Sequence, residues 1–362
     1  MTTRPRLTPA IADVRRAVRE ALQRPGGSPL PPTGPTGAIG ADVEAPIARD
    51  GPPGEAGTLV LVALSGGPDS LALAAAAAFE GRRIGLRVGA VIVDHDLQHG
   101  SAEIAARAAG QARSLGLEPV IVSRVSVGSA GGPEAAARDA RYEALAEAAA
   151  ETGAARVLLG HTLDDQAETV LLGLARGSGG ASLRAMAPSS GLFLRPLLGI
   201  RRSTTVRFCA DSGLEPWADP HNDDGRYRRV RVRKIVLPML EAELGPGIAE
   251  ALARTASQLR DDSEALDHFA EEQIEELAEH AEAGLSLPVK ALEANPAALR
   301  GRIIRLAVSA EFGVSLSAAH TAEVSRLVTD WHGQDALDLP GIKVSRQGGL
   351  LIFRAASNRQ EP

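Results

Sequence analysis

The sequence predicts an α/β protein with a doubly wound parallel sheet, followed by a smaller α+β domain. Short runs of Val, Leu and Ile alternate with Ala- and Leu-rich stretches between residues 58 and 175, which is typical of a parallel sheet with crossover helices. A glycine-rich loop joins the first run to the first helix. Beyond residue 245, long helical stretches precede short apolar runs. We therefore expect an N-terminal helix and linker at 1–57, the sheet domain at 58–244 and a C-terminal domain at 245–362.

The composition narrows the class of protein. A length of 362 residues is enough for two domains with full cores. Only 3% of the residues are aromatic, so the cores must be built from Ala, Val and Leu. The net charge of −6 argues against a surface coated in basic charge, although it allows a local basic patch. No apolar run reaches the roughly 18 residues of a membrane span, and no signal core precedes Pro25. We expect a cytoplasmic protein without membrane contact.

The chain has a single cysteine, Cys209, which lies beside Phe208 in a predicted helix. One cysteine cannot form an internal disulfide or a cysteine-rich zinc site. We expect it to be a small buried apolar residue and not a nucleophile.

The first 57 residues predict one helix and a linker. Ile11, Val14 and Val18 recur at helical spacing between Pro9 and Gln23, with arginines between them, which indicates a short amphipathic helix. Residues 25–57 are dense in Pro and Gly and have no apolar periodicity. We expect this segment to be a disordered linker.

The βα units of the central region follow in order. Val-, Leu- and Ile-rich runs predict the strands, and Ala- and Leu-rich stretches predict the helices. Ser101 is expected to cap the second helix and Gly153 to close the third, and a flexible loop is expected at 126–132. The predicted strands are 58–64, 86–93, 119–125 and 156–159, and the predicted helices are 71–79, 101–115, 133–152 and 163–175.

The remaining segments are less regular. Residues 176–196 predict a long loop, and Ser203 is expected to cap a helix that ends near Asp211. Residues 226–240 predict a basic helix. The C-terminal domain is expected to begin near Gly245 with a long helix to about Ala283, whose last half is strongly acidic and should face away from nucleic acid. Two helices at 295–311 and 317–331 and three strands at 336–339, 342–345 and 350–354 complete the prediction.

The loop after the first strand is the strongest chemical signal. It reads Ser65-Gly66-Gly67-Pro68-Asp69-Ser70 and opens onto a helix N-terminus, where free N–H groups and the dipole favour an anion. It is neither a Walker A loop nor a dinucleotide fingerprint. The hexapeptide resembles the pyrophosphate loop of ATP pyrophosphatases, which cleave ATP to AMP and pyrophosphate. A carboxylate beside phosphate needs a bridging cation, so Asp69 implies Mg²⁺. The alternative is a strand-to-helix turn without a ligand.

Two further polar clusters follow strands of the same predicted sheet. Asp94 and His95 end the second strand, although His95 would also suit an ordinary strand end. Since ligands bind at the carboxyl ends of parallel strands, these clusters should converge with the glycine-rich loop. Paired carboxylates there can hold Mg²⁺ or orient an amine nucleophile, while compensation of a helix dipole is the alternative for Asp164. The second cluster, whose His, Asp and Glu should share one helix face, consists of His161, Asp164, Asp165 and Glu168.

Basic residues form two groups. Arg138 and Arg141 lie at helical spacing, where they suit phosphate or carboxylate, or else a solvated helix face. Residues 195–234 contain ten Arg or Lys and five Asp or Glu in a chain that is acidic overall, which suits RNA phosphates. A solvated basic helix is the alternative. The dense part of this group comprises Arg226, Arg228, Arg229, Arg231, Arg233 and Lys234.

Taken together, these motifs resemble the tRNA(Ile)-lysidine synthase family. The matching stretches run from the glycine-rich loop through Ala137–Tyr142, Gly160–Thr169 and Leu174–Gly179 to Arg195–Leu198 and Asp219–Arg233, and Leu339–Leu350 is similar to the family's small C-terminal domain. The resemblance implies ATP-dependent attachment of lysine to C2 of the wobble cytidine in the CAU anticodon of tRNA(Ile). It implies an adenylated tRNA intermediate, with AMP and pyrophosphate released.

The resemblance also implies roles for residues. ATP would be bound by Ser65, Gly66, Gly67, Pro68, Asp69, Ser70, Asp94 and His95. Asp69 would hold Mg²⁺, with Asp164 and Asp165 as further candidate ligands. The catalytic residues would be Asp69, His161, Asp164, Asp165, Glu168, Arg138 and Arg141. The tRNA would be bound by Arg176, Arg195, Arg226, Arg228, Arg229, Arg231, Arg233 and Lys234.

The sequence departs from the family pattern at two points, and three alternative functions remain. Many members of the family have a second histidine where this chain has Thr162, and many have a further C-terminal domain. A tRNA thiolase would need several cysteines, and an amide-forming synthetase would need an ammonia source and would leave the basic segment unexplained. A non-catalytic RNA-binding module would leave the loop at Ser65–Ser70 without a purpose. The oligomeric state is open, with a homodimer among the options.

Overall fold

A computed structural model describes residues 7–23, 57–95, 100–125, 133–177, 180–218, 224–281 and 284–356. The chain divides into two units within one long helix, between Leu259 and Arg260. Several predictions concern residues outside the described ranges. They are the linker up to residue 56, the loop at 126–132 and residues 219–223.

The first unit is built on a six-stranded sheet with the order β3-β2-β1-β4-β6-β5. All neighbouring strands in it are parallel except β5, which pairs antiparallel with β6. This confirms the predicted doubly wound α/β fold. The strands are β1 (Leu59–Ala63), β2 (Arg87–Asp94), β3 (Val120–Arg124), β4 (Arg156–Leu158), β5 (Ser189–Ser190) and β6 (Phe193–Leu194).

Helices cover both faces of this sheet because β1 is apolar on both sides. Val60 and Val62 pack against one helical layer, and Leu61 packs against the other. The helices of the unit are α1 (Pro9–Gln23), α2 (Pro68–Arg83), α3 (Ser101–Ser114), α4 (Pro133–Thr152), α5 (Leu163–Arg176), α6 (Gly180–Leu183), α7 (Arg202–Asp211), α8 (Arg228–Arg231), α9 (Leu237–Leu244) and the first part of α10 (Ile248–Leu277).

Helix α1 has the predicted bounds. Its apolar face, which includes Ile11, Val14 and Val18, is buried. It packs against α2 and α7. Arg19 donates to both carboxylate oxygens of the buried Glu80 on α2, at 2.8 and 3.0 Å. An ion pair therefore supports the apolar contact.

Four local predictions were wrong. Helix α2 begins at Pro68 and not at Leu71, because proline at the first helical position is already in helical geometry. Gly100 in the left-handed conformation precedes α3, so Ser101 lies inside the helix. Arg201, and not Ser203, is the N-cap of α7. The expected loop at 176–196 contains α6 and the β5–β6 hairpin.

The predicted basic helix at 226–240 is a helix in three parts. A π-helical segment, Val232–Val236, separates α8 from α9. Val232 and Leu237 are five residues apart and both are buried in the same small core. In a regular α-helix a separation of five would turn them away from each other. The π segment keeps both side chains in the core.

The second unit contains a five-stranded antiparallel sheet with the order β7-β8-β11-β10-β9. Its core includes Leu287, Ile304 and Phe353. The expected helix to Ala283 ends at Leu277, and β7, β8 and α11 were not predicted. The elements are the last part of α10, β7 (Glu279–Ala281), β8 (Gly284–Pro288), α11 (Val289–Ala294), α12 (Ala297–Phe312), α13 (Ala318–Thr329), β9 (Leu337–Leu339), β10 (Ile342–Gln347) and β11 (Leu350–Ala355).

None of the helices in the described part of the chain is long and apolar enough to cross a membrane.

Candidate functional site

The site lies at the carboxyl ends of β1 and β4. These strands are neighbours in the sheet, and the chain leaves them in opposite directions, to β2 and to β6. Such a switch point leaves a crevice for ligands. A Cβ built on Gly160 would lie only 3.1 Å from the backbone of Ser70. A glycine at this position lets the turn after β4 approach the first turn of α2.

The glycine-rich loop is held by hydrogen bonds of its own. The Ser65 N–H donates to the Ser70 hydroxyl, which donates to the Gly67 carbonyl, both at 3.1 Å. Gly66 has a φ of +82°, which favours glycine, and its carbonyl accepts the Trp217 N–H at 2.8 Å. The first turn of α2 follows at once, so its N–H groups are available to an anion. The predicted phosphate loop therefore has suitable local geometry.

Asp69 lies in the first turn of α2, beside this loop. Its carboxylate accepts the Thr205 hydroxyl and, at 3.1 Å, the Arg202 Nε. Burial raises the pKa of Asp69, although the hydrogen bond from Thr205 and the charge of Arg202 oppose the shift. Both partners come from α7, which sequence reasoning did not connect to the loop.

Helix α5 brings the acidic cluster to the same crevice. Thr162, at the position where the family resemblance implies a second histidine, is its N-cap. The N–H and hydroxyl of Thr162 both donate to Asp165, at 2.8 Å. Burial opposes ionisation of Asp165, but the charge of Arg202 and these hydrogen bonds outweigh it, so the pKa is lowered. Thr162 thus stabilises the acidic cluster.

His161 does not share a helix face with the carboxylates, and that prediction was wrong. The helix begins at Leu163 and Thr162 caps it, so His161 belongs to the turn after β4. Burial, together with the nearby charges of Arg141 and Arg195, lowers the pKa of His161 to about 3 although Asp165 opposes the shift. Its buried Nδ1 has no hydrogen-bond partner among the described residues. At neutral pH His161 is an uncharged imidazole that can accept a hydrogen bond.

Arg202 joins the two halves of the site. Its Nε, Nη2 and Nη1 donate to Asp69, Asp165 and Glu168, at 3.1, 2.8 and 3.2 Å. Its backbone N–H donates to Asp164 at 2.7 Å. Sequence reasoning missed Arg202. The adjacent Arg201-Arg202 pair was the available signal, but nothing local marked it as the partner of the acidic motif.

Glu168 is fully buried and is surrounded by arginines. Besides Arg202, it accepts Arg229 Nε at 3.1 Å and Arg233 through Nε and Nη2 at 2.6 and 3.0 Å. Arg229 also donates to the Thr169 hydroxyl at 3.0 Å. Two residues of the predicted RNA-binding set therefore point into the acidic cluster.

A small cavity of about 140 Å³ opens beside Glu168. Arg201 borders the cavity and donates hydrogen bonds to the carboxylates of Glu250 and Glu241. Its guanidinium group lies 3.5 Å from the Asp164 carboxylate. Both charged and apolar side chains line the cavity, a combination that suits a short aliphatic chain with a charged end. Its lining residues are Asp164, Glu168, Arg201, Arg233, Leu237, Pro238, Glu241 and Ala249.

The remaining predicted catalytic residues lie around His161 and the end of β2. Burial is the main cause that lowers the pKa values of His95 and His161. Arg141 lies close enough to both imidazoles for its positive charge to lower these pKa values further. Burial also lowers the pKa of Arg141 itself. Arg138 is exposed, with its guanidinium 5.4 Å from the centre of the Tyr142 ring. Arg141 therefore lies near both histidines, whereas Arg138 lies over the Tyr142 ring.

Asp94 and Arg195 have structural partners. Asp94 is buried at the end of β2, with Arg124 at 3.6 Å. Arg195 is 8% exposed and donates to the Ala187 carbonyl and the Tyr142 hydroxyl. The Arg195 side chain thus makes its hydrogen bonds inside the fold and is not part of the exposed basic surface.

The other basic residues of the predicted RNA-binding set are exposed. Arg226 forms an ion pair with Asp224, and Arg231 donates to the carbonyls of Gly225 and Arg226. Those that are exposed are Arg176, Arg226, Arg228, Arg231 and Lys234.

Among the described residues, no group of three or more His, Cys, Asp or Glu side chains is arranged to hold a metal ion. Guanidinium groups fill the space between the carboxylates. Mg²⁺ is commonly held by one or two carboxylates together with substrate phosphates. Asp69, beside the phosphate loop, fits that kind of site.

Cys209 is buried in α7 and its thiol lies 3.4 Å from the Pro68 carbonyl. Burial raises the pKa of the thiol to about 12. This confirms the prediction of a small buried residue, and a neutral thiol cannot serve as a nucleophile or a cluster ligand.

The chain is similar to known proteins over most of its length. Residues 46–240 match the family described as the PP-loop domain, and residues 287–352 match the TilS substrate binding domain. A tRNA(Ile)-lysidine synthase of Leifsonia xyli subsp. xyli is 66% identical over 298 residues, which are 82% of this chain and 90% of that protein. The tRNA(Ile)-lysidine synthase of Thermobifida fusca is 52% identical over 351 residues, covering 96% and 98% of the two chains.

A solved structure shares the fold at low identity. It is the U34-tRNA thiolase NcsA from Methanococcus maripaludis with its [4Fe-4S] cluster, with a TM-score of 0.53, 19% identity, and coverage of 69% of this chain and 79% of that chain. At this identity the likeness bears on the fold alone.

Proposed function

The chain belongs to the tRNA(Ile)-lysidine synthase family, and on that premise we propose that it ligates lysine to C2 of the wobble cytidine in the CAU anticodon of tRNA(Ile). ATP first adenylates the cytidine and releases pyrophosphate. The lysine ε-amine then displaces AMP to give lysidine. The observation that carries this proposal is the position of an acidic, cation-attracting cluster directly beside a phosphate loop.

We propose that residues 65–70 bind the ATP phosphates through the loop and the N-terminus of α2. Asp94 and His95 complete the nucleotide site from the end of β2. Asp69 would hold Mg²⁺, which when bound supplies positive charge to the departing pyrophosphate. Asp69 would then exchange its hydrogen bonds from Thr205 and Arg202 for the ion.

For the second step we propose that Asp164, Asp165 and Glu168 attract the lysine ammonium and help to remove its proton. His161 is neutral at neutral pH, so it does not repel the ammonium and can orient it. Arg138 and Arg141 would stabilise the adenylated intermediate, since guanidinium forks suit phosphate oxygens.

We propose that tRNA is bound by the exposed residues Arg176, Arg226, Arg228, Arg231 and Lys234, together with the C-terminal domain at 245–362. Arg229 and Arg233 would join them once RNA is present, whereas the burial of Arg195 favours a supporting role under the site. A cytoplasmic location and a homodimer are further proposals, the second of which sedimentation velocity would test.

The test is incubation of the protein with ATP, Mg²⁺, labelled lysine and CAU-anticodon tRNA(Ile). Label should enter the tRNA, with AMP and pyrophosphate released in equal amounts. Methionine tRNA, which has the same anticodon, is the matched control and should stay unlabelled. Incorporation of another nucleophile, such as sulfur or ammonia, in place of lysine would overturn the proposal in favour of another PP-loop enzyme. A thiolase is disfavoured by the single, buried cysteine.

A further inference from the structure

The carboxylate of Glu168 has no acceptor capacity left. A carboxylate offers about four lone-pair positions. Its Oε1 accepts Arg202 Nη1 and Arg233 Nε, and its Oε2 accepts Arg229 Nε and Arg233 Nη2. An ammonium group cannot bind Glu168 unless one of these arginines leaves.

The three arginines differ in how firmly they are held. Arg202 is shared among three carboxylates and its backbone N–H binds a fourth. Within the described part of the chain, Arg229 has one further side-chain partner, the Thr169 hydroxyl, and Arg233 has a longer contact to Asp165, at 3.6 Å. These two side chains are 30% and 25% exposed, more than the 21% of Arg202. Arg229 and Arg233 are the pair that can leave at lower cost.

Arg229 and Arg233 are also the two closest to the basic surface. They belong to α8 and the π segment, next to the exposed Arg228, Arg231 and Lys234. A π segment is rare inside an α-helix and is frequently found at a functional site. RNA phosphates at this surface would offer both guanidinium groups a competing anion.

We propose that Arg229 and Arg233 occupy the lysine site in the absence of RNA and that bound tRNA draws them away. This inference rests on the proposed function. Lysine binding at Glu168 then follows tRNA binding, because the ammonium takes the place that the guanidinium groups give up. The same two arginines leave the acidic cluster and neutralise RNA phosphates. Lysine and tRNA thereby bind cooperatively, each raising the affinity for the other.

The test measures binding of radiolabelled lysine to the full-length protein by equilibrium dialysis, without tRNA. The wild type should bind weakly, and Arg233→Gln should bind about tenfold more tightly, a typical coupling between two sites. Added tRNA should raise the affinity of the wild type but change that of Arg233→Gln much less. Arg207→Gln is the matched control, because it removes the same charge from a side chain that is 72% exposed on α7. Its lysine affinity should equal that of the wild type.

Equal or weaker lysine binding by Arg233→Gln would overturn the inference, as would equal binding by the wild type with and without tRNA. Arg229→Gln removes a single bond to Glu168 and serves as the second variant if Arg233→Gln does not fold. If the wild type still incorporates lysine into tRNA, only this inference fails. If no lysine is bound or incorporated under any condition, the proposed function fails with it.

Discussion

Arg202 shares its guanidinium among Asp69, Asp165 and Glu168, so a single side chain connects the phosphate loop to α5. Burial would lower the pKa of Arg202, but the charges of the three carboxylates outweigh it and raise that pKa further above its usual value. Removing one partner of such a buried group leaves the others uncompensated. The cluster is therefore an interdependent unit whose members should not contribute additively.

At the residue scale, His161 gives a prediction about pH. Its pKa of about 3 in the folded protein lies below the ordinary value of 6.5. The folded state therefore binds fewer protons than the unfolded chain between these values, and its stability falls as the pH is lowered from about 6.5. His161→Asn should remove this dependence, which is up to about 1.4 kcal/mol per pH unit.

The measurement is the melting temperature of the wild type and of His161→Asn between pH 7 and pH 4. The wild type should lose stability faster than the variant as the pH falls. Parallel curves would show that His161 does not remain neutral, and would contradict the prediction.

Motifs singled out the candidate site residues, but not the arginines that bind them. Asp69, Asp165 and Glu168 were recognised from local patterns, and the structure brings them together. Arg202 lies 133 positions from Asp69 in the chain, and no local pattern encodes a pairing over that distance. The pairing depends on α7 packing against α2, which is a property of the tertiary fold.

At the element scale, the π segment decides which way the basic residues face. Val232 and Leu237 are both buried because of it. With those two residues in the core, Arg233 reaches Glu168 while Arg228, Arg231 and Lys234 face solvent. One segment thereby serves both the acidic cluster and the exposed surface.

This division predicts how the exposed residues affect RNA binding. Changing Arg226, Arg228 and Arg231 together to glutamine should weaken tRNA binding and make it less dependent on salt. Each lost phosphate contact should reduce the slope of log K against log salt by about 0.7 for single-stranded RNA. Filter binding of tRNA between about 50 and 200 mM salt measures both the affinity and the salt slope.

The control is a second triple variant, in which Arg16, Arg82 and Arg207 are changed to glutamine. It makes the same change in net charge outside the basic segment. Its affinity and salt slope should match those of the wild type. An equal loss of affinity in both triple variants would mean that overall charge, and not this surface, attracts the RNA.

Elements with strong local signals were predicted well. Helix α4 begins at Pro133 and ends before Gly153, as its proline and glycine indicate. The two-residue strands β5 and β6 were missed because their own sequences carry little strand signal, and β6 is ordered by pairing with β4. The π segment was missed for a similar reason, since burial of Val232 and Leu237 becomes evident only in the folded chain.

At the scale of the molecule, α1 extends the first unit beyond the residues that match the PP-loop domain, 46–240. It packs on α2 and α7, the helices that carry Asp69 and Arg202. Its polar link is the pair between Arg19 and Glu80, whose side chains are 40% and 1% exposed. The N-terminal helix thus supports the two helices that meet at the site.

The ion pair between Arg19 and Glu80 predicts that removing the arginine alone destabilises the protein more than replacing both partners. Arg19→Ala leaves a buried carboxylate without its main partner and should lower the melting temperature. Adding Glu80→Leu should restore part of the loss, because an apolar pair avoids the unpaired buried charge. Differential scanning fluorimetry of the single and double variants provides the measurement. A double variant less stable than Arg19→Ala would contradict this explanation.

The inertness of Cys209 has a practical consequence. The chain has one thiol, and burial keeps that thiol protonated at neutral pH. Towards maleimide reagents the native protein should behave as if it contained no cysteine. A cysteine introduced at exposed Arg228 could therefore carry a fluorophore or a spin label without altering the rest of the chain. Such a probe on α8 would test whether added tRNA changes the surroundings of this helix.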